Sequence, residues 1–425
     1  MNPAAGGYLR NQIRKSKSMS SPRLLILGAV FHQKALFTAA KKRGLVVYAV
    51  DKNPETELTS LADYFFPIST DDVDQLVSLI KREQIAYITT GATFDAIYTA
   101  AVIKERLNLP SLLPSSKCLT VALDKAKTRA VLEKAGLPVP TGGVATTLEE
   151  AWAIADRLTF PLIVKPAYAS GSKGNSKIHS LRQLPKAFLE AQRANQRKKT
   201  RAVVFEEIII GKVLSVEAIT IGKKTYTVAA GEIDELPGNY NPVVGTITPA
   251  KLPAATYQTV CTLNDQVMTA LGINNGATHV NYIVDKHGQP YLIDCNPRLG
   301  GGEIVWDSIP RSYQVDLSDM VTELALGERP KVNYSFQGII SGLKRLIPPQ
   351  SGKFYGLTWD KKVQKRLSIG GVYLYLKPGT AVTASPKVTG DLVGSITSWG
   401  KTHAAVTSQL AEFEKILNWD IRQTR

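Results

Sequence analysis

The stretch YLIDCNPRLGGG, residues 291–302, ends an apolar run with an acid, an amide and a guanidinium, followed by three consecutive glycines. A strand needs none of these for its own stability. Upstream lies HVNYIV, joined to PYLIDCN by DKHGQ, in which Gly288 after His287 is a hairpin signal. A turn centred between those two residues sets Asn281 opposite Asp294 and His279 opposite Asn296. Side chains alternate along a strand, so these four share one face of the ribbon. One carboxylate and two carboxamides offer hard oxygen donors, which suit Mg²⁺; Mn²⁺ shares the preference. Asn281, Asp294 and Asn296 are therefore candidate metal ligands. Gly300, Gly301 and Gly302 let backbone N–H groups approach an anion without Cβ obstruction. A solvent-facing hairpin would have no use for them.

Two other stretches could stand opposite. Lys165 ends the apolar run PLIVK, and ASGSKG follows it. A lysine at a strand end with a glycine- and serine-rich loop after it can cover nucleotide phosphates. No Walker A pattern is present, and an ordinary surface turn fits the loop equally well. Farther on, FEEIII could offer backbone donors and acceptors to an adenine ring.

The elements that must position these residues read as α/β followed by α+β. Through about residue 110, strand-like RLLILGA, LVVYAVD and IAYITT alternate with helix-like QKALFTAAKKRG, DDVDQLVSLIKRE and FDAIYTAAVIKERLNLP. That alternation predicts βαβ units and a parallel sheet. Only Gly28 follows the first strand, so the phosphate-gripping turn of a dinucleotide fold is missing. Asp51 reads as the polar end of a buried strand. The segment SSKCLTVALDKAKTRAVLEKAG predicts one helix over 115–136. An alternating α+β lobe follows, then a long helix, the hairpin, and a β-rich closing piece with a terminal helix from Thr407.

Composition bounds the function. The chain has 425 residues, 44% of them hydrophobic, enough for two or three packed domains. No run reaches the length of a membrane span, and three scattered cysteines give neither a disulfide framework nor metal-ligand spacing. These features point to a reducing cytoplasm. The net charge of +16 invites nucleic-acid binding. Part of it is local, however: residues 1–23 carry Arg10, Arg14, Lys15, Lys17 and Arg23 with no acid and read as a disordered basic leader. The second basic cluster, QRANQRKKTR, lacks aromatic residues for base stacking. A protein that handles polyanionic nucleotides would tolerate the same positive field.

Taken in order, DKAKTRAVLEKAGLPVP, FPLIVKPAYASGSKG, VVFEEIIIGKVLSVE and GATHVNYIVDKHGQPYLIDCNPRLGGG resemble the ATP-grasp superfamily, and within it the carboxylate–amine ligases of the dipeptide-ligase type and the pyrrolysine-biosynthesis ligase. The resemblance spans roughly residues 24–330. It implies a pre-ATP-grasp domain over 24–114, a two-lobed ATP-grasp domain over 115–330 with a mobile lid near 137–205, and a C-terminal subdomain over 331–425. It also implies roles. Lys125 and Lys165 match lysines on the ATP phosphates, and Ser170, Gly171, Ser172 and Gly174 match the lid loop. Glu206, Glu207, Ile208 and Ile209 match the adenine hinge, Asp294 and Asn296 match metal ligands, and Arg298 matches the arginine of the acyl-transfer step. Two positions depart. Asn281 stands where many members carry a metal-binding Glu. Val213 stands where an acid commonly holds the ribose, which leaves Glu217 as the acid nearby.

The implied reaction converts a carboxylate to an acylphosphate with ATP and Mg²⁺ and then joins it to an amine. Its partners would be small-molecule acids and amines, and a homodimer is compatible with the reading. Carboxylation or carbamoyl-phosphate chemistry stays open as an alternative, as does a degenerate nucleotide-binding module.

Overall fold

The structure, a computed structural model, describes residues 21–195 and 200–423. The basic leader up to residue 20 and the centre of the second basic cluster lie outside the described residues. The N-terminal expectation of a parallel sheet is met. Strands Arg23–Leu27, Val46–Val50, Tyr64–Phe66 and Tyr87–Thr89 all pair in parallel, with the first at the centre between the second and the fourth. The apolar runs of the first two strands are buried under helices that cover the sheet, as parallel strands require, whereas Tyr64 on the edge strand is exposed.

The turn after the first strand explains the absent dinucleotide motif physically. Gly28 has φ +87°, and the Gln33 side chain fills the space beside it. Gln33 Nε2 donates to the Leu27 carbonyl at 3.0 Å, and its Oε1 accepts from Gly91 N at 2.6 Å. A side chain thus occupies the ground where a pyrophosphate would lie. Asp51 is likewise structural, accepting from the backbone of Ala29 and Asn53.

The helix expected over 115–136 is two helices, Ser116–Ala122 and Lys125–Lys134. Asp124 interrupts it: its side chain caps the second helix by accepting from Ala126 N and Lys127 N. The break has a purpose for the site, because it puts Lys125 on the first helical position, with its backbone N–H on the Ala167 carbonyl.

A small antiparallel sheet follows, Gly142–Ala145, Val203–Glu207, Leu162–Pro166 and Ser176–Ile178 in that spatial order, backed by helices Leu148–Ala155 and Leu184–Ala194. Among the described residues the largest sheet has eight strands. From one edge it runs Pro290–Asn296, Asn275–Asp285, Gly211–Ile221, Lys224–Glu235, Val243–Thr248, Ile340–Leu346, Gly394–Gly400 and Ile369–Leu374. The C-terminal region is β-rich as expected, but three of its strands extend this sheet rather than forming a separate layer. The edge of Val243–Thr248 offers free ladder positions that Ile340–Leu346 takes up antiparallel. The terminal helix begins at His403, capped by Thr402, and not at Thr407.

Candidate active site

The hairpin register is the predicted one: Asn281 faces Asp294 and His279 faces Asn296. The pairing shifts just beyond, so that Tyr282 faces Leu292 and Ile293 is the extra residue of a bulge. The Ile293 carbonyl accepts from Lys165 Nζ at 3.3 Å, so the bulge ties the hairpin to the small sheet. Next to the hairpin, Gly211–Ile221 pairs Glu217 with His279 and Ser215 with Asn281, and the face of candidate ligands spans three strands.

Two lysines converge on this face. Lys125 Nζ lies 3.1 Å from Asp294 Oδ1 and donates to the Ala169 carbonyl at 2.8 Å, at the entrance to the lid loop. Lys165 is 3% exposed and pairs with Glu206 Oε2 at 2.5 Å. Arg129 reaches the other Glu206 oxygen at 3.4 Å. Lys125, Arg129, Glu206 and Asp294 all line one small cavity together with Leu292 and Cys295. Burial alone would push the Asp294 carboxyl up, but Lys125, an Asn296 hydrogen bond and Lys165 outweigh it and hold the acid below the usual carboxylate range. Burial is also the largest influence on Arg298, drawing its guanidinium below the ordinary value against the pull of Asp294 and Glu217.

The three candidate metal ligands fit a hard cation. Asn281 Oδ1 and Asn296 Oδ1 are both buried without a hydrogen-bond partner, and Asn296 Nδ2 donates to Asp294 Oδ2 at 3.1 Å. Two orphaned carbonyl oxygens beside an ionised carboxylate are costly unless something positive occupies the space between them. The set contains one acid only. Among the described residues there is no group of three His, Cys, Asp or Glu side chains that could hold a metal.

The expectation for Glu217 needs correcting. It is 2% exposed, paired with His279 Nδ1, and accepts from Gly300 N at 3.2 Å. Its carboxylate is spent on fixing the glycine loop and does not face open space where a ribose would lie. Gly300 is required by this contact, since a Cβ there would stand 2.5 Å from Glu217 Oε1. Val213, opposite Ile283, supplies no acid.

The hinge divides. Glu206 turns inward onto the cations, whereas Glu207 turns away and accepts from Thr159 N at 2.8 Å. Ile208 and Ile209 are half-buried in the connection that follows the strand. In the candidate lid loop, Gly171, Ser172 and Gly174 all have positive φ. The Gly171 carbonyl accepts from Thr389 N at 3.4 Å, which brings the lid loop against the C-terminal region.

Sequence reasoning missed Arg129 and the Glu217–His279 pair. Arg129 was within reach: it follows Lys125 by one helical turn and so shares its face. The Glu217 role was not, because it depends on the alignment of two strands far apart in sequence.

Residues 124–329 match the family model of the carbamoyl-phosphate synthase L chain ATP-binding domain. That domain is of the ATP-grasp type, so just under half of the chain is similar to an ATP-grasp domain. Solved structures agree on the fold. An L-amino acid ligase from Bacillus licheniformis superposes with a TM-score of 0.79 at 21% identity, covering 95% of this chain and 99% of that one. Phosphoribosylglycinamide synthetase from Anaerococcus prevotii gives 0.74 at 20%, covering 95% and 100%. The biotin carboxylase domain of 2-oxoglutarate carboxylase from Hydrogenobacter thermophilus, solved with MgADP and bicarbonate, gives 0.76 at 18%, covering 95% and 91%. These proteins carry different activities on one architecture, so the fold alone does not choose the reaction. Among the described residues no helix is long and apolar enough to cross a membrane.

Proposed function

We propose that the protein is an ATP-dependent ligase that activates a carboxylate as an acylphosphate and joins it to an amine, releasing ADP and phosphate. The observation that carries this reading is the strand end itself: Asp294 with two orphaned amide oxygens, faced by Lys125 and followed by Arg298 and the glycine loop. A carboxylate is a poor electrophile, and phosphorylation gives it a leaving group. Lys125 and Lys165 offset charge on the phosphates during transfer, and the nucleotide lies beside the cavity that Lys125 lines with Arg129 and Glu206. Asn281, Asp294 and Asn296 would hold Mg²⁺, which when bound screens the phosphate oxygens. Arg298 and the N–H groups near Gly301 and Gly302 receive the anion that forms when the amine attacks. The lid loop excludes water, which would hydrolyse the acylphosphate.

The test follows an oxygen atom. With carboxyl-¹⁸O-labelled acids, ATP, Mg²⁺ and an amine, acylphosphate chemistry delivers one ¹⁸O into the released phosphate, read by ³¹P NMR. Phosphate released without the label refutes the mechanism. A bicarbonate arm separates carboxylation from ligation. In the ligation arm Arg298→Ala should retain nucleotide binding and lose amide formation by a factor on the order of 10² to 10³.

A further inference from the structure

The mechanism leaves unused a cluster built around the end of the glycine loop by three separate parts of the chain. Phe31 and His32 come from the turn after the first strand, Trp306 follows the glycines, and Tyr373 and Tyr375 come from the C-terminal edge strand and its exit. The Phe31 ring lies 5.4 Å from Trp306 and 5.5 Å from Tyr375, and Trp306 lies 6.2 Å from Tyr373. His32 stands edge-on to Tyr375 at 5.1 Å. All five are half-buried, not sealed in the core. They sit against the reacting end of the site: a Cβ on Gly302 would be 3.2 Å from His32 Nδ1, and one on Gly301 would be 3.9 Å from the same ring.

The neighbours of this cluster are charged and under-satisfied: Arg345 pairs with Ser395, which in turn pairs with Tyr373, and Arg298 precedes the glycines. Arg298 Nε and Arg345 Nε are both buried without a partner, as is His32 Nδ1. Burial, and then Arg345 and Arg298, bring the His32 pKa down to about 4, which leaves it neutral at pH 7. Glu303, next after the glycines, is fully buried and accepts from the Tyr375 hydroxyl at 3.2 Å on each oxygen. Burial pushes its carboxyl up, with Arg345 acting against that. Two dry guanidinium N–H groups without acceptors cost free energy that an entering carboxylate would recover. The half-buried rings then form the wall onto which the rest of that molecule must fall.

We infer that this cluster is the recognition site for the acid substrate, that Arg345 joins Arg298 in binding its carboxylate, and that the Phe31–Trp306–Tyr373–Tyr375 wall selects an acid carrying an aromatic or large flat apolar side chain. The inference rests on the ligase reading and names its substrate class. Small acids leave the wall wet and uncovered, and acidic side chains meet an apolar surface. Aromatic rings gain both area and edge-to-face contact.

The test traps the acylphosphate with hydroxylamine, which makes the readout independent of the natural amine. A panel of phenylalanine, tryptophan, 3-phenylpropionate, leucine, alanine, glutamate and acetate is assayed for hydroxamate with ATP and Mg²⁺. Aromatic acids should exceed alanine and acetate in kcat/KM by at least about tenfold. Trp306→Ala should shrink the phenylalanine-to-alanine ratio by about tenfold, and Tyr373→Leu reads the same ratio if the tryptophan variant does not fold. Arg345→Gln should raise KM for every acid. Hydroxamate formed equally well or better from small or acidic substrates overturns the aromatic wall while leaving the ligase reading standing. Hydroxamate from no acid, with ATP still bound, overturns the ligase reading and this inference with it.

Discussion

Replacing Glu206 by glutamine removes one charge from a buried ionic cluster and should reveal what Lys165 is held for. Glu206 is 8% exposed and Lys165 3%, and the two are 2.5 Å apart. Taking one partner from a buried pair costs about 3–5 kcal/mol, because the remaining charge is left uncompensated. Two features reduce that figure here. Arg129 keeps Glu133 at 2.8 Å, and Lys165 keeps the Ile293 carbonyl. A glutamine oxygen also still accepts a hydrogen bond. The expected loss for Glu206→Gln is therefore about 2–3 kcal/mol, read as a lower urea midpoint with an unchanged slope. The nucleotide should respond in the opposite sense. In the free protein Glu206 holds the ammonium that the phosphates need, so Glu206→Gln releases Lys165 to them. A tenfold gain in ADP affinity adds about 1.4 kcal/mol to the stabilisation by saturating ligand. Stability within about 0.5 kcal/mol of the parent would refute the ionic coupling. A large loss of stability with no change in ADP affinity would remove Lys165 from the phosphate site.

Three further outcomes follow from the same geometry. Asn281→Asp places two carboxylates directly opposite on paired strands, so it should lower the melting temperature without metal, and millimolar Mg²⁺ should restore it; indifference to Mg²⁺ in differential scanning fluorimetry would count against the ligand set. Val213→Glu restores an acceptor where a ribose hydroxyl is expected and should tighten ADP binding by roughly tenfold, measured by titration calorimetry. His32 favours its neutral form in the fold, its pKa being lowered from 6.5 to about 4 by burial and then by Arg345 and Arg298. The unfolded chain therefore takes up the proton first, and this contribution to stability, full above about pH 6.5, is lost as pH falls toward 4. Relative to His32→Gln, the parent should lose stability across that window in urea titrations, and parallel curves for the two would show that His32 does not titrate this way.

Much of the site was legible because it lies within one hairpin. Alternation and a single turn residue place Asn281 against Asp294 and His279 against Asn296, since a one-residue slip would turn the whole set to the other face. The bulge at Ile293 was not legible, because an inserted residue changes backbone pairing without requiring any particular side chain. The break at Asp124 had a signal, an acid ahead of a basic helical run, but apolar periodicity runs through it and reads as one helix. The C-terminal strands carried a correct period and no address. Which edge a strand joins depends on partners remote in sequence, and Val243–Thr248 was the edge available.

The three glycines that mark the site in the sequence turn out to serve different ends. Gly300 makes room for the Glu217 carboxylate, which fixes the loop by accepting from its backbone N–H. Gly302 takes φ +74° and leaves space for the His32 ring. Only Gly301, with nothing closer than 3.8 Å to a Cβ built on it, is free of such a packing demand, so it is the position at which a missing side chain most directly favours an approaching anion. The loop is thus fixed by the central sheet through Glu217 and flanked on its other side by His32, from the turn after the first strand. That arrangement gives the N-terminal sheet a role that its blocked nucleotide turn does not. With Gln33 filling the turn after the first strand, its neighbours Phe31 and His32 are left to shape the ground beside the glycine loop, where the proposed acid would lie.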